Sequence, residues 1–232
     1  MNIVVMGPAG SGKSTFVKNF SDYLKDYDVK VVNLDPASDP IYDANRDVRD
    51  FVRTEEVMKR YGLGINGALM KSIDLTLEFI DDLLVKGDYV IFDTPGQMEL
   101  FLYSKSGLKI AETIARYDWS VCLFIIDSEV ASTPENFASI IAQNAVISLR
   151  LSMPTITVFN KCDLIDLKLD KIFEGLREVG GVLGEIVEVL MALIDYTTVK
   201  FRIVKVSALK KIGFDDVFSV ISEVFCSCGD IS

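Results

Sequence analysis

Gly7-Pro8-Ala9-Gly10-Ser11-Gly12-Lys13-Ser14 has the residue types and spacing of a loop that wraps phosphates. Glycines let the backbone turn so that successive N–H groups point inward, and a helix beginning behind the loop adds its partial positive charge. Lys13 has the reach for the β- and γ-phosphates, and the Ser14 hydroxyl suits magnesium. Gly10, Ser11, Gly12 and Thr15 supply the remaining expected phosphate contacts. A plain Gly-rich turn has a similar composition. The full pattern, set between an apolar run and a helical stretch, argues against it.

Asp93-Thr94-Pro95-Gly96-Gln97 follows a second apolar run, Tyr89–Phe92. A carboxylate here suits magnesium, generally through a bound water. Gly96 lets its N–H approach a γ-phosphate without an intervening side chain, and Gln97 is placed to orient an attacking water. Alone, the stretch would read as a Pro/Gly turn. Its position behind a phosphate loop favours the chemistry.

Asn160-Lys161-Cys162-Asp163 follows the run Thr155–Phe159 and has the form N-K-x-D. Guanine offers two neighbouring N–H donors that one carboxylate accepts together, whereas adenine would leave Asp163 unsatisfied. Charge-assisted bonds of this kind are worth about 1.5–3 kcal/mol each. A site built around such donors rejects the wrong base strongly. Ser207-Ala208, after Arg202–Val206, is a short turn able to offer a backbone N–H to guanine O6. It gains weight only from its order in the chain.

The elements that position these motifs are legible as an alternation. The apolar runs Ile3–Met6, Val29–Leu34, Tyr89–Phe92, Val121–Ile126, Thr155–Phe159 and Arg202–Val206 are continuous in polarity, as in strands buried on both faces. Between them, Ser14–Leu24, Ile73–Val85, Gly107–Tyr117, Phe137–Arg150 and Lys168–Asp195 have helical spacing. The expectation is an open, mostly parallel α/β sheet with helices on both faces, its ligands at the carboxyl ends of the strands. Residues 1–232 are expected to form a single domain with two insertions, at about 38–71 and at 164–199. The first carries the Gly-rich run Tyr61–Gly67, and the second is a helical, lid-like excursion broken near Gly180-Gly181.

Composition removes several function classes. The net charge of −10 argues against a nucleic-acid groove. No stretch is long and apolar enough for a membrane span, and the N-terminal apolar residues run straight into the Gly-rich loop rather than into a leader pattern. Cys122, Cys162, Cys226 and Cys228 make poor material for a disulfide framework, so a cytoplasmic protein is expected.

Two further features narrow the field. Leu34-Asp35-Pro36-Ala37 closes the second apolar run, and Gly64-Ile65-Asn66 lies within the first insertion. With the phosphate and base motifs, they resemble the GPN-loop GTPase family, whose members carry N-L-D-P-A followed by Gly-Pro-Asn. The resemblance runs from Met1 to the turn after Ser207. It implies hydrolysis of GTP to GDP with Mg2+ in a homodimer, with Asn66 reaching into the partner's site in place of an arginine finger. It also implies that Asp35, Gln97 and Glu99 surround the attacking water. Hydrolysis would then act as a conformational switch. Eukaryotic members of the family are linked to RNA polymerase assembly, which makes assembly of a protein complex one expectation. Ile65 stands where the family has proline, which removes a constraint on φ from the tripeptide.

Three alternatives remain open on the residues. A metal-centre assembly GTPase would need His and Cys ligands, and the chain has no histidine and a single close thiol pair, Cys226/Cys228. A P-loop kinase of a small acceptor would lack the base reader at Asn160–Asp163. A non-catalytic scaffold would not need Lys13, Ser14, Asp93 and Gln97 together. The stretch Val182–Ile194 is apolar on more than one face, which suits plain core or a client peptide at the lid.

Overall fold

In the computed structural model, which describes residues 1–194 and 203–229, each apolar run up to Phe159 becomes a strand covered on both sides. The strands are β1 (Asn2–Met6), β2 (Val29–Asn33), β3 (Arg46–Asp47), β4 (Tyr89–Asp93), β5 (Ser120–Asp127), β6 (Thr155–Asn160) and β7 (Val204–Lys205). They form one sheet in the order β3-β2-β4-β1-β5-β6-β7, with every neighbouring pair parallel. The helices are α1 (Lys13–Tyr23), α2 (Thr54–Tyr61), α3 (Ile65–Thr76), α4 (Ile80–Leu83), α5 (Met98–Tyr103), α6 (Lys105–Tyr117), α7 (Pro134–Leu151), α8 (Leu169–Glu178), α9 (Gly181–Ile194) and α10 (Phe214–Gly229).

Successive residues of a strand face opposite sides, and the two cores divide accordingly. Val4, Met6, Phe92 and Phe124 pack with Ile73, Ile110, Ile114, Phe137 and Ile141 of α3, α6 and α7. Ile3, Val5, Ile91 and Leu123 pack against Phe16, Val17 and Phe20 of α1 and Phe214, Val217 and Ile221 of α10. The rings of Phe16, Phe20 and Phe214 meet at 5.0–5.6 Å. Each fully buried side chain of this size contributes about 1.5–3 kcal/mol. This aromatic wedge seats α1, and with it the phosphate loop, on the sheet.

The first insertion differs from its expectation. The Gly-rich run is a helix-to-helix joint, and the helix expected from Ile73 begins at Ile65. Gly62 takes a left-handed φ of 63° and ends α2, its N–H bonded to the Met58 carbonyl. Gly64 is extended, and its carbonyl accepts from Ala68 N at 2.9 Å, opening α3. Ile65 is therefore the first helical residue, a position that proline favours because its N–H is unbonded anyway. Helix geometry fixes here what a proline would otherwise fix. The expected helical stretch also ends early, through a 3₁₀ turn at Leu77–Phe79 and the short α4. β3 was not anticipated, since two polar residues carry no strand pattern.

The second insertion breaks at the expected glycines, where α8 gives way to α9. The remainder of that stretch, residues 195–199, lies outside the described residues, and so do residues 200–202, including Arg202 of the last expected strand. The side chains of Val182, Leu193, Ile194 and Cys228 also lie outside them. Val187, Leu190 and Met191 pack on the core, while Leu183, Ile186 and Val189 are exposed. Among the described residues, no helix is long and apolar enough to cross a membrane.

Candidate nucleotide site

Polar residues terminate the strands in register. Asn33 of β2 is paired with Asp47 of β3 and Asp93 of β4, and Asp127 of β5 with Asn160 of β6. Parallel pairing places these strand ends on one edge of the sheet, with the loop after β1 between them. The phosphate loop, the Asp93–Gln97 stretch and the base motif sit on that edge.

The phosphate loop is held by its surroundings as much as by its glycines. Gly12 has φ 89°, and a Cβ there would collide with Asn160 Nδ2. No other residue fits both the conformation and the close approach. Ser11 N donates to the Pro8 carbonyl at 3.2 Å, and Lys13 Nζ folds back onto the Gly7 carbonyl at 2.9 Å. Burial pulls the Lys13 ammonium below its ordinary pKa, while Asp93, Asp35 and Glu99 push it back up. The negative charge of all three carboxylates thus acts on one cation.

Asp93 is the most constrained of them. Its Oδ2 accepts from Ser14 Oγ at 3.0 Å and from the Tyr42 hydroxyl at 2.8 Å. Its Oδ1 is buried and has no partner among the described residues. Burial raises the carboxyl to about 6, against the lowering effect of the Tyr42 and Ser14 bonds and of Lys13. An orphaned, buried carboxylate oxygen beside a serine hydroxyl suits a hard cation or its water. Ser11 Oγ is likewise buried without a partner, in the phosphate loop.

Asp35 accepts from Ala37 N at 2.9 Å through Oδ1. Gly96 has open space where a side chain would stand. Gln97 is half-buried at the start of α5, and Glu99 is exposed in the first turn of that helix. Asn66 lies apart from this group: it is exposed in the first turn of α3 and makes no hydrogen bond with a motif residue among the described residues.

The base motif forms a cavity of about 310 Å³ next to the phosphate loop. Gly12 and Thr15 form one wall, Lys161, Asp163 and Leu164 a second, and Ser207, Ala208 and Leu209 a third. Asn160 uses its carboxamide within the protein as well. Its Nδ2 donates to the Ser11 carbonyl and its Oδ1 accepts from Ala208 N, both at 2.9 Å, so it braces the cavity. The Ser207 hydroxyl, then the Asp163 backbone N–H and Lys210, hold Asp163 below the ordinary carboxylate range against its burial. Asp163 is thus an acceptor at neutral pH.

A family model described as "Conserved hypothetical ATP binding protein" matches residues 5–227. The GPN-loop GTPase PAB0955 of Pyrococcus abyssi is 32% identical, with the whole of both chains covered. GPN-loop GTPase 1 of Schizosaccharomyces pombe is 31% identical over 94% of this chain and 67% of its own length. The chain belongs to the GPN-loop GTPase family. The crystal structure titled as PAB0955, a GTPase in apo form, superposes with a TM-score of 0.80 at 31% identity over 98% of each chain. As a member of the family, this protein is a GTP-binding P-loop GTPase with the seven-stranded parallel sheet described above.

Some residues of this GPN-loop GTPase site escape a motif search. Tyr42 reaches Asp93 from 51 positions away. Asp127 pairs with Lys161 Nζ at 2.6 Å, and Ser128 Oγ donates to the Asn160 carbonyl at 2.7 Å. Asn19 of α1 donates to the Ala208 carbonyl at 2.8 Å and so ties the last base turn to the first helix. One signal existed: Asp127-Ser128 directly follows the apolar run of β5, at the edge where ligands of such sheets bind.

Proposed function

We propose that this chain hydrolyses GTP to GDP and phosphate with magnesium, as a homodimer whose packing follows the nucleotide. One observation carries the reading. Lys13, Ser14 and Asp93 meet at the ends of β1 and β4, while Asp163 sits ionised in a base-sized cavity on the other side of Gly12.

Phosphoryl transfer asks mainly for positioning and neutralisation of charge, so no covalent nucleophile is needed. Ser14 and Asp93 would hold the magnesium, and the unpartnered Asp93 Oδ1 supports that assignment. Magnesium supplies charge neutralisation on the β- and γ-oxygens. Lys13 would leave the Gly7 carbonyl for the phosphates, a short reorientation of a long side chain. Gln97, with Asp35 and Glu99 near Lys13, would orient the attacking water in line with the scissile bond. Asp163 would accept both donors of guanine, so we assign GTP rather than ATP as substrate.

Asn66 completes the site only from a second copy. Its exposure at a helix start, flanked by exposed Tyr61, Ile65 and Met70, supports an interface role. Loss of the γ-phosphate would remove contacts across that interface, which is the switch. We extend the reading to a client protein or apolar peptide at α9, supported by its outward Leu183, Ile186 and Val189, with complex assembly as the cellular task. The thiols of Cys122, Cys162 and Cys226, unpaired among the described residues, support a reducing, cytoplasmic setting.

The test mixes an Asn66→Ala subunit with a Lys13→Ala subunit. The mixed dimer has one site with an intact lysine and an intact partner Asn66, and hydrolysis should return there. Absence of recovery, with both chains shown to dimerise, would remove action in trans. Equal affinity for guanine and adenine diphosphates would remove the substrate assignment.

A further inference from the structure

We infer that Tyr42 is a positioning residue for the metal: its hydroxyl clamps Asp93 through Oδ2 and leaves Oδ1 free of a partner. The inference rests on the magnesium reading above and deepens it by adding a residue outside the recognised motifs.

Tyr42 belongs to the stretch between β2 and β3, which is fastened at both ends. Near β2, Thr54 N donates to the Pro36 carbonyl and Ala37 N to Asp35 Oδ1, each at 2.9 Å. Near β3, Asn45 and Val31 exchange two bonds, Asn45 N to the Val31 carbonyl at 2.7 Å and Val31 N to Asn45 Oδ1 at 2.8 Å. Between these anchors Ile41 and Asp43 are exposed, while Tyr42 is half-buried and reaches inward to Asp93 Oδ2.

A carboxylate oxygen has two lone pairs in its plane. On Asp93 Oδ2, the Ser14 and Tyr42 hydroxyls take both. The remaining oxygen, Oδ1, is buried and unpartnered. Ser14 spends its hydrogen on Asp93 and keeps its own lone pairs. The pair therefore presents acceptor atoms from two side chains, which is what a divalent cation and its water need. A tyrosine that competed with the cation would be expected on the unpartnered acceptor; this one occupies the other oxygen. Without the hydroxyl, the carboxylate loses one of the two donors that fix its rotation.

Partners that orient a ligand carboxylate are worth about 10–100-fold in metal affinity. The experiment uses full-length Tyr42→Phe beside wild type, with Ile41→Ala as a control on the same stretch. Mn2+ binding to the GDP-loaded protein is followed by electron paramagnetic resonance, and GDP affinity is measured in EDTA. Tyr42→Phe should weaken Mn2+ by about 10-fold or more while GDP affinity in EDTA stays at the wild-type value. Ile41→Ala should match wild type in both. Unchanged or tighter Mn2+ binding in Tyr42→Phe overturns the inference, and so does an equal loss in Ile41→Ala or a parallel loss of GDP affinity in EDTA. If wild type itself takes up no Mn2+, the magnesium reading fails, and the failure is visible before any variant is compared.

Discussion

Asn160 and Ser11, 149 positions apart in the chain, are joined by a 2.9 Å hydrogen bond from the Asn160 carboxamide to the Ser11 carbonyl. The same carboxamide accepts from Ala208 N, so one side chain holds the phosphate loop and the last base turn in fixed relation. Asn160→Ala would leave a buried N–H and a buried carbonyl without partners, at about 1–3 kcal/mol each. Affinity for GDP should fall with affinity for guanosine alone, because both walls shift. Isothermal titration with the two ligands checks this. A loss confined to the diphosphate would contradict the bracing role.

Asp163→Asn replaces an acceptor pair with one acceptor and one donor. Guanine then meets a donor opposite its exocyclic amine. Xanthine, with a carbonyl at that position, meets a match. The variant should lose on the order of 100-fold or more in GDP affinity and prefer xanthosine diphosphate. Competition against a fluorescent guanine nucleotide gives the ratio.

Asp93 makes the metal-free protein pH-sensitive. Its carboxyl titrates at about 6 when folded and near 3.8 when exposed. Between those values the folded chain binds more protons than the unfolded one. This contribution is therefore fully present below the lower value and lost as pH rises through the higher, at about 2–3 kcal/mol in all. In EDTA, Asp93→Asn should flatten this slope and be the more stable chain above the higher value. Urea midpoints from about pH 4.5 to 7.5 measure it. A variant less stable than wild type at the upper end would mean that the charged form is better solvated than its burial implies.

The outer helix gives a paired contrast. Leu190 packs against the core, and Ile186, four residues earlier, is 51% exposed. Leu190→Asp should lower the thermal midpoint by several degrees, whereas Ile186→Asp should leave it within the error of a surface change, about 0.5 kcal/mol. Similar losses in both would place Ile186 in an intramolecular contact.

What the sequence discloses follows from how local each requirement is. Gly12, Lys13 and Ser14 are legible because a backbone cradle needs contiguous residues. Asp163 is legible because its loop follows a strand whose apolarity is unmistakable. Tyr42, Asn19 and Asp127 act through partners 51, 189 and 34 positions away, and no short pattern encodes such pairings. The start of α3 is hidden in the sequence for a different reason. Gly62 and Gly64 carry the composition of a loop, but one ends a helix in the left-handed region and the other begins the next in an extended conformation. Composition alone does not separate those uses. β3 pairs through Arg46 and Asp47, too short for any periodicity to register.

Because β1 lies at the centre of the strand order, it acts as a seam through the pocket. On one flank stand Asp93 and its companions from β2 and β4; on the other stand the braces and walls contributed by β5, β6 and the turn after β7. The residues proposed to discriminate among bases are thus modular with respect to those proposed to gather around the reacting phosphate, sharing only the loop at the seam. Selection could retune one flank while leaving its counterpart intact.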